Sequence, residues 1–316
     1  NRANSLRTLF NLEDKLSLSV GDVDEYEFQK ESFDIVISMG VIAHVPNQEN
    51  MFKRMVQACK KNGFITLGYV ESSGLIQRLL HRAICNINDD GNEQKVYDIA
   101  NNLFSEHIKR SVKYGGRTAK SVINDYLVNP HYVGISVKTL FEWMDKYGLE
   151  YYSMTPNIEL PFTVDSPYHK SLVANTDLYK KYLTILELRW IFGQSEDKDI
   201  FNEILEPLSI LEKTIDSVLG NVDEILQNFK YKKKYLDKIE EDMNKIDIEM
   251  KNSLSNMSQY ISNNFKELKD EFIKILGMIV KKVENNEEFD LTYKSNKLFK
   301  GYNGLTTNYI MFHKKV

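Results

Sequence analysis

The run Ser32-Phe-Asp-Ile-Val-Ile-Ser-Met-Gly-Val-Ile-Ala-His-Val45 constrains this chain more than any other stretch. From Phe33 to Ser38 aromatic and β-branched residues crowd together, with less polar alternation than a strand that faces water on one side. That pattern predicts a strand covered on both faces. Gly40 then breaks it, and in open α/β sheets ligands sit outside the carboxyl ends of such strands.

The surrounding sequence alternates between strand-like and helix-like runs, as an α/β domain requires. Leu16 to Val20 predicts a short strand ending at Gly21-Asp22. Gln48 to Lys61 predicts a helix, with Met51, Phe52, Met55, Val56 and Cys59 on one face and Asn62-Gly63 as its stop. Phe64 to Val70 predicts a further strand. Gly74 to Cys85 and Lys95 to Lys109 read as helices. Ser136 is the expected N-cap of a helix carrying Leu140, Trp143, Met144 and Tyr147, with Gly148 at its C-terminal end. Leu149 to Met154 is the next strand, and Leu305 to Lys314 is dense enough in Thr, Tyr, Ile and Phe to form another.

Composition narrows the function classes. The 316 residues carry 41 basic and 45 acidic side chains, a formal charge of −4, so no overall positive field recommends nucleic acid or an anionic membrane. Cys59 and Cys85 form no CxxC pair, which argues against a zinc site or a disulfide framework and points to a reducing, cytoplasmic setting. No metal-ligand set is visible, and no apolar run reaches the roughly 18 residues that span a bilayer.

From about residue 196 the pattern changes. Apolar residues fall at Ile204, Leu208, Leu211, Ile215, Val218, Val222, Ile225 and Phe229, and again at Leu236, Ile239, Met243, Ile246 and Met250, spacings of three and four that predict a coiled-coil seam. It slips near Ser253 to Asn264 and returns at Phe265, Leu268, Phe272, Ile275 and Ile279. One unbroken helix over 204–283 would be about 120 Å long; Gly220-Asn221 and the Ser/Asn-rich stretch 252–264 are where it could fold back instead. Self-association, or a protein partner held through 196–288, is the expected use. Lys230-Tyr-Lys-Lys-Lys-Tyr235 could touch RNA phosphates and bases, but inside a coiled coil a solvated helix face is the simpler reading.

Three segments in order carry a resemblance. Gly21-Asp22, then Ser32 through His44, then Lys60-Lys-Asn-Gly-Phe-Ile-Thr-Leu-Gly68 together resemble the second half of a class I S-adenosylmethionine-dependent methyltransferase domain. The resemblance implies an α/β, Rossmann-like sheet with a long helical coiled-coil insertion. Residues 1–157 would form a partial methyltransferase domain, 158–195 a connection, 196–288 the insertion and 289–316 a terminal strand returning to the sheet. It implies S-adenosylmethionine as cofactor, with Asp22 accepting from the adenine amino group beside Val23, and Ser38, Met39 and Gly40 lining the cofactor near its sulfonium. His44 is then either a general base or a helix-start histidine that shapes the pocket. Asp125-Tyr126-Leu-Val-Asn129-Pro-His131-Tyr132 resembles the substrate-side cap of some small-molecule methyltransferases. Tyr126 and Asn129 are the expected acceptor-binding residues, and His131 and Tyr132, with His44, the catalytic candidates. Asn129-Pro130 also reads simply as a proline turn. The acceptor itself is not legible.

The same resemblance exposes a shortfall. The family's domain opens with a strand, a GxGxG turn and a second strand ending in an acidic residue, and no GxGxG occurs in the chain. The N-terminal residues 1–10 resemble the helix that comes after that second strand, so the sheet is expected to be N-terminally incomplete, as in a fragment of a longer enzyme. Two strands belong between Leu16–Val20 and Phe33–Ser38; at about 4.8 Å per strand their loss opens the sheet by roughly 10 Å. If the α/β part is instead a degenerate remnant, the function belongs to a different class: a coiled-coil interaction protein. RNA methylation is the third alternative. On this reading the 316-residue chain by itself binds S-adenosylmethionine weakly or not at all, and a micromolar isotherm in titration calorimetry would contradict it.

Overall fold

The computed structural model describes residues 2–72, 93–129, 132–155, 232–253, 269–274 and 307–315, with single or paired helical positions between them. Its centre is a four-stranded sheet of β1 (Phe33–Met39), β2 (Cys59–Val70), β3 (Leu149–Thr155) and β4 (Thr307–Lys314). The spatial order is β1-β2-β4-β3. The first pair is parallel, and β4 runs antiparallel to both β2 and β3. This is a mixed α/β sheet, and the final residues of the chain occupy its interior rather than its edge.

The β1–β2 crossover is made by α2 (Gln48–Ala58), which the side chain of Asn47 caps by accepting from Asn50 N at 3.0 Å. α2 ends earlier than Asn62-Gly63. Cys59 already has extended backbone (φ −72°, ψ 135°) and pairs with Phe33, so the chain enters the sheet while the sequence still reads as helix. Asn62 (φ +62°) and Gly63 then form a bulge before pairing resumes at Ile35–Phe64. A Cβ on Gly63 would lie 2.6 Å from Cys59 Sγ and 2.8 Å from the Asp34 carbonyl, so the bulge requires glycine.

One face of β4 is fixed to α2. Phe312 is fully buried and meets Phe52 of α2 edge-on, ring centroids 5.6 Å apart. Phe52 also packs on Trp143 and Tyr147, at 5.5 and 6.0 Å. Lys314 reaches the C-terminal end of α2 and donates to the carbonyls of Val56 (3.0 Å) and Cys59 (2.8 Å), where the helix leaves carbonyls unpaired.

The helices between β2 and β3 add buried residues to the core formed with the sheet. α3 (Glu93–Leu103) and α4 (Ser105–Gly115) replace the single helix expected over Lys95–Lys109, because Phe104 departs from helical geometry (φ −111°, ψ 18°) while its ring is buried. α5 (Ala119–Ile123) runs into a π-helical turn, Asn124–Val128. α6 (Val137–Lys146) starts at Ser136, whose hydroxyl accepts from Thr139 N at 3.0 Å, and Gly148 (φ +68°) ends the connection to β3. α1 (Arg2–Leu9) buries no residue.

Leu16–Val20 is not a strand. It runs as unpaired chain with Leu16, Leu18 and Val20 at 39, 40 and 105% exposure, since no described strand lies beside it to supply a ladder. The β1 edge is likewise uncovered. Phe33, Ile35, Ile37 and Met39 are 45–61% exposed on a strand expected to be covered on both faces.

In the C-terminal half, α7 (Lys232–Ser253) carries part of the seam. Ile239 and Met243 are fully buried and, with Phe272, belong to the same hydrophobic cluster as the sheet domain. Asp242, 3% exposed, receives the Ser217 hydroxyl at 2.5 Å, and Lys269 reaches Asp247 at 3.3 Å, so α7 packs against earlier and later parts of its own chain. Most other seam positions, and the segment 156–195, lie outside the described residues, as do Lys230 and Tyr231. Among the described residues no helix is long and apolar enough to cross a membrane.

Removing Phe312 tests the central packing. Phe312→Ala should cost about 3–5 kcal/mol, read as a lower urea midpoint for the sheet domain, and an unchanged midpoint would show that β4 is not structurally essential.

Candidate functional site

Two strands, β1 and β2, end side by side, and the segments leaving them are built to meet each other. After β1, Gly40 turns with φ +68°, and Ile42–His44 forms a 3₁₀ turn. After β2, Glu71 bridges to Ile135 from the loop that precedes α6. That loop is stitched down at three points: Val133 N donates to Ala43 O (2.9 Å), Ile135 N to Val70 O (2.8 Å), and Gln48 Nε2 to both Ile42 O (3.1 Å) and Val133 O (3.0 Å). At Gly134 a Cβ would sit 2.6 Å from Ser72 Cα, so only glycine lets the loop pass this close to β2.

The result gathers four of the residues expected from sequence. Asn129 Nδ2 lies 3.1 Å from His44 Nδ1, and the Tyr132 ring meets His44 edge-on at 5.1 Å. Tyr126 joins them through an arginine that it shares with Tyr132. His131, the remaining catalytic candidate, lies outside the described residues. His44, Asn129 and Tyr132 are half-buried, so the group opens toward solvent at this end.

Behind it stands a layer that sequence reasoning did not single out. The Arg78 guanidinium, 4% exposed, lies over the Tyr132 ring at 3.2 Å and the Tyr126 ring at 5.1 Å. His81 and His107 approach Tyr126 at 5.7 and 4.6 Å, and His81 stacks on Phe104 at 4.3 Å. A signal exists in the spacing: Leu75, Arg78, His81 and Cys85 recur every three or four residues, the inward face of a helix, and two of the four are polar.

Burial sets the charge state of this layer. Desolvation holds His81 well below the ordinary histidine value, and the charge of His107 adds to it. Desolvation, with Arg110 and Arg78 nearby, pushes His107 down to about 4. The Tyr126 and Tyr132 hydroxyls are both raised by burial, so near neutral pH they are donors rather than bases. Cys85 is pushed up to about 12, an inert thiol. No group of three or more metal-ligating side chains occurs among the described residues.

The cofactor residues expected from sequence lie along a second feature. Val23, Ser38 and Met39 line a groove of about 370 Å³ between β1, α2 and the segment around Phe28. Its wall is apolar except at Ser38 and Arg54. Ser38 Oγ is buried with no hydrogen-bond partner, an orphaned polar atom that a ligand's polar group would satisfy. Asp22 does not line the groove; its carboxylate accepts from Asp24 N at 2.8 Å within its own turn. Gly40 adds the left-handed turn. Val41 lines the groove and Ile42 is next in the chain, so one short segment joins groove and histidine cluster. These residues suit the flat adenosyl portion of S-adenosylmethionine.

Comparison with known families is decisive for one part of the chain. Residues 2–67 match the family model described as a methyltransferase domain. That segment, about a fifth of the chain, is similar to a methyltransferase domain. No curated protein and no solved structure matches the chain. The methyltransferase match runs from α1 into β2, and so takes in Asp22, Val23, Ser38–Gly40 and His44 while leaving Arg78, Tyr126, Asn129 and Tyr132 outside it.

His81, buried, and His107, half-buried, imply an acid-sensitive core. His107 titrates near 4 in the folded protein and His81 is also depressed, whereas unfolded histidine titrates near 6.5. The unfolded state therefore binds more protons as pH falls from about 6.5 toward 4, and stability should decline across that window. His107→Phe, which keeps an aromatic ring beside Tyr126, should flatten the decline in urea midpoints; a slope equal to the wild type's would refute this account.

Proposed function

We propose that this protein takes part in the transfer of a methyl group from S-adenosylmethionine to a small-molecule acceptor held at the carboxyl ends of β1 and β2. The observation that carries the reading is continuity: the segment matching a methyltransferase domain ends its first strand at Ser38–Gly40 and leads within four residues to His44 and its partners. When bound, the cofactor supplies an electrophilic methyl group on a sulfonium.

The chain's own residues then have separable tasks. Val23, Ser38 and Met39 hold the adenosyl portion in the groove, and the Ser38 hydroxyl gains the partner it lacks. Asp22 can turn its carboxylate to the adenine amino group. His44 handles the acceptor's proton, and Asn129 decides how. A neutral imidazole has one N–H and one lone pair. An Asn129 amide that donates to Nδ1 leaves the proton on Nε2, so His44 presents a donor; turned to present its oxygen, it accepts from Nδ1–H and leaves Nε2 as a base. Tyr132, kept neutral by burial, orients the acceptor as a hydrogen-bond donor.

The helical half contributes differently. Ile239, Met243 and Phe272 are already buried within one chain, which favours intrachain packing over exposure of a seam to a partner. We read this part as an addition to the same hydrophobic core as the sheet.

The test is S-adenosylhomocysteine formation from a pool of small-molecule acceptors at saturating S-adenosylmethionine. His44→Ala should lower the rate by about 10²–10⁴, the usual worth of a positioned acid–base group, and Asn129→Ala should lower it with little change in the KM for the cofactor. A His44→Ala variant at the wild-type rate would remove His44 from the chemistry, and no product from any acceptor although S-adenosylmethionine binds would remove the reading.

A further inference from the structure

We infer that Arg78 is an anion anchor: it binds a carboxylate or phosphate group of the methyl acceptor, with Tyr132 as the platform between that group and His44. Calling the ligand a methyl acceptor rests on the function proposed above; the binding of an anion beside Arg78 does not.

Among the described residues no carboxylate forms an ion pair with Arg78. It is 4% exposed, and a buried guanidinium is normally met by a carboxylate. Here Nη2 donates to the backbone carbonyl of Asp125, while Nε is buried with no acceptor. The nearest carboxylate that acts on its charge is that of Asp125, and Arg117 Nη1 holds it at 2.7 Å. Tyr132, whose hydroxyl also feels the guanidinium as a hydrogen-bond partner, and Tyr126 are what remain. Their ring faces favour a cation, but both are neutral groups and leave the guanidinium's fork of N–H donors only partly matched.

The surroundings add positive charge rather than relieving it. Arg82 repels Arg78, and Arg78 and Arg110 both disfavour protonation of His107. Both tyrosines stay neutral, because burial raises them despite the guanidinium alongside. Among the described residues, a buried guanidinium met by neutral rings and by a carboxylate already paired with Arg117 is complementary to an anion, and the planar fork of arginine suits carboxylate and phosphate oxygens in particular.

Position gives the anchor its use. Arg78 covers one face of Tyr132 at 3.2 Å, and His44 meets the same ring at 5.1 Å. An acceptor whose anionic end reaches Arg78 and whose body lies against Tyr132 would bring its other end to His44. Fixing both ends is what converts binding into alignment for attack. The acceptor class is thus a small molecule with an anionic group at one end and a nucleophilic atom at the other.

The experiment uses the whole chain and no cofactor, so its outcome is independent of methyl transfer. Benzoate and phenyl phosphate are compared with neutral benzamide by thermal shift and by the side-chain Nε–H resonance of Arg78. We expect at least tenfold tighter binding of one of the anions than of benzamide, displacement of the Arg78 resonance by that anion, and loss of the preference in Arg78→Gln. Whichever anion binds tighter identifies the group as carboxylate or phosphate. Equal affinity for benzamide, no binding of either anion, or an undisturbed Arg78 resonance overturns the proposal. The resonance in the wild type decides the matter even if Arg78→Gln fails to fold.

Discussion

The antiparallel insertion of β4 between β2 and β3 is the interaction on which the rest of the fold depends. β3 has no other strand partner among the described residues, so its attachment to the sheet is made through residues at the far end of the chain. The ladder from Phe64–His313 to Val70–Thr307 also completes β2, whose carboxyl end carries the site. Phe312 and Lys314, on the same face of β4, both hold α2, one through the Phe52 ring and one through the carbonyls at the helix end. The crossover that sets His44 beside β2 is thereby tied to the chain terminus. Such non-local closure is slow to form but holds distant elements in register.

Much of this was legible locally. Ser136, Gly148, the β1 run and the density of β-formers near the terminus each predict their element because the deciding physics is short-range: a cap, a left-handed turn, a side-chain period. The errors occurred where a neighbour decides. Leu16–Val20 has strand composition, yet a strand exists only if another backbone pairs with it. The helix read through Lys61 stops at Ala58 because Cys59 finds Phe33, and no local residue announces that pairing. The helix read through Lys95–Lys109 breaks at Phe104, where burying the ring outweighs helical continuity.

The site divides along the same line. His44, Tyr126, Asn129 and Tyr132 were individually visible as polar or aromatic residues in suggestive places, but their meeting depends on Gln48 and Gly134, which carry no chemistry. Arg78, His81 and His107 were harder to see, since polar residues in a helix are ordinarily expected to face solvent. Their spacing with Leu75 and Cys85 is the local hint that they point inward. In an interior this dry, both histidines give up their charge while arginine keeps its own.

That asymmetry separates two kinds of work within one cluster. Groups that lose charge on burial can only shape and polarise their surroundings, so Tyr126, His81 and His107 form a fixed wall around the buried cation among them. His44, half-buried at the rim and held through Nδ1, sits where a proton can still leave to solvent. Under the methyl transfer proposed above, a proton must be shed only if the nucleophile carries one, and the wall–rim arrangement would serve either case, with alignment from behind and proton transfer from the open side. The segment similar to a methyltransferase domain ends before the wall begins, so the wall is built from residues that the family model does not cover.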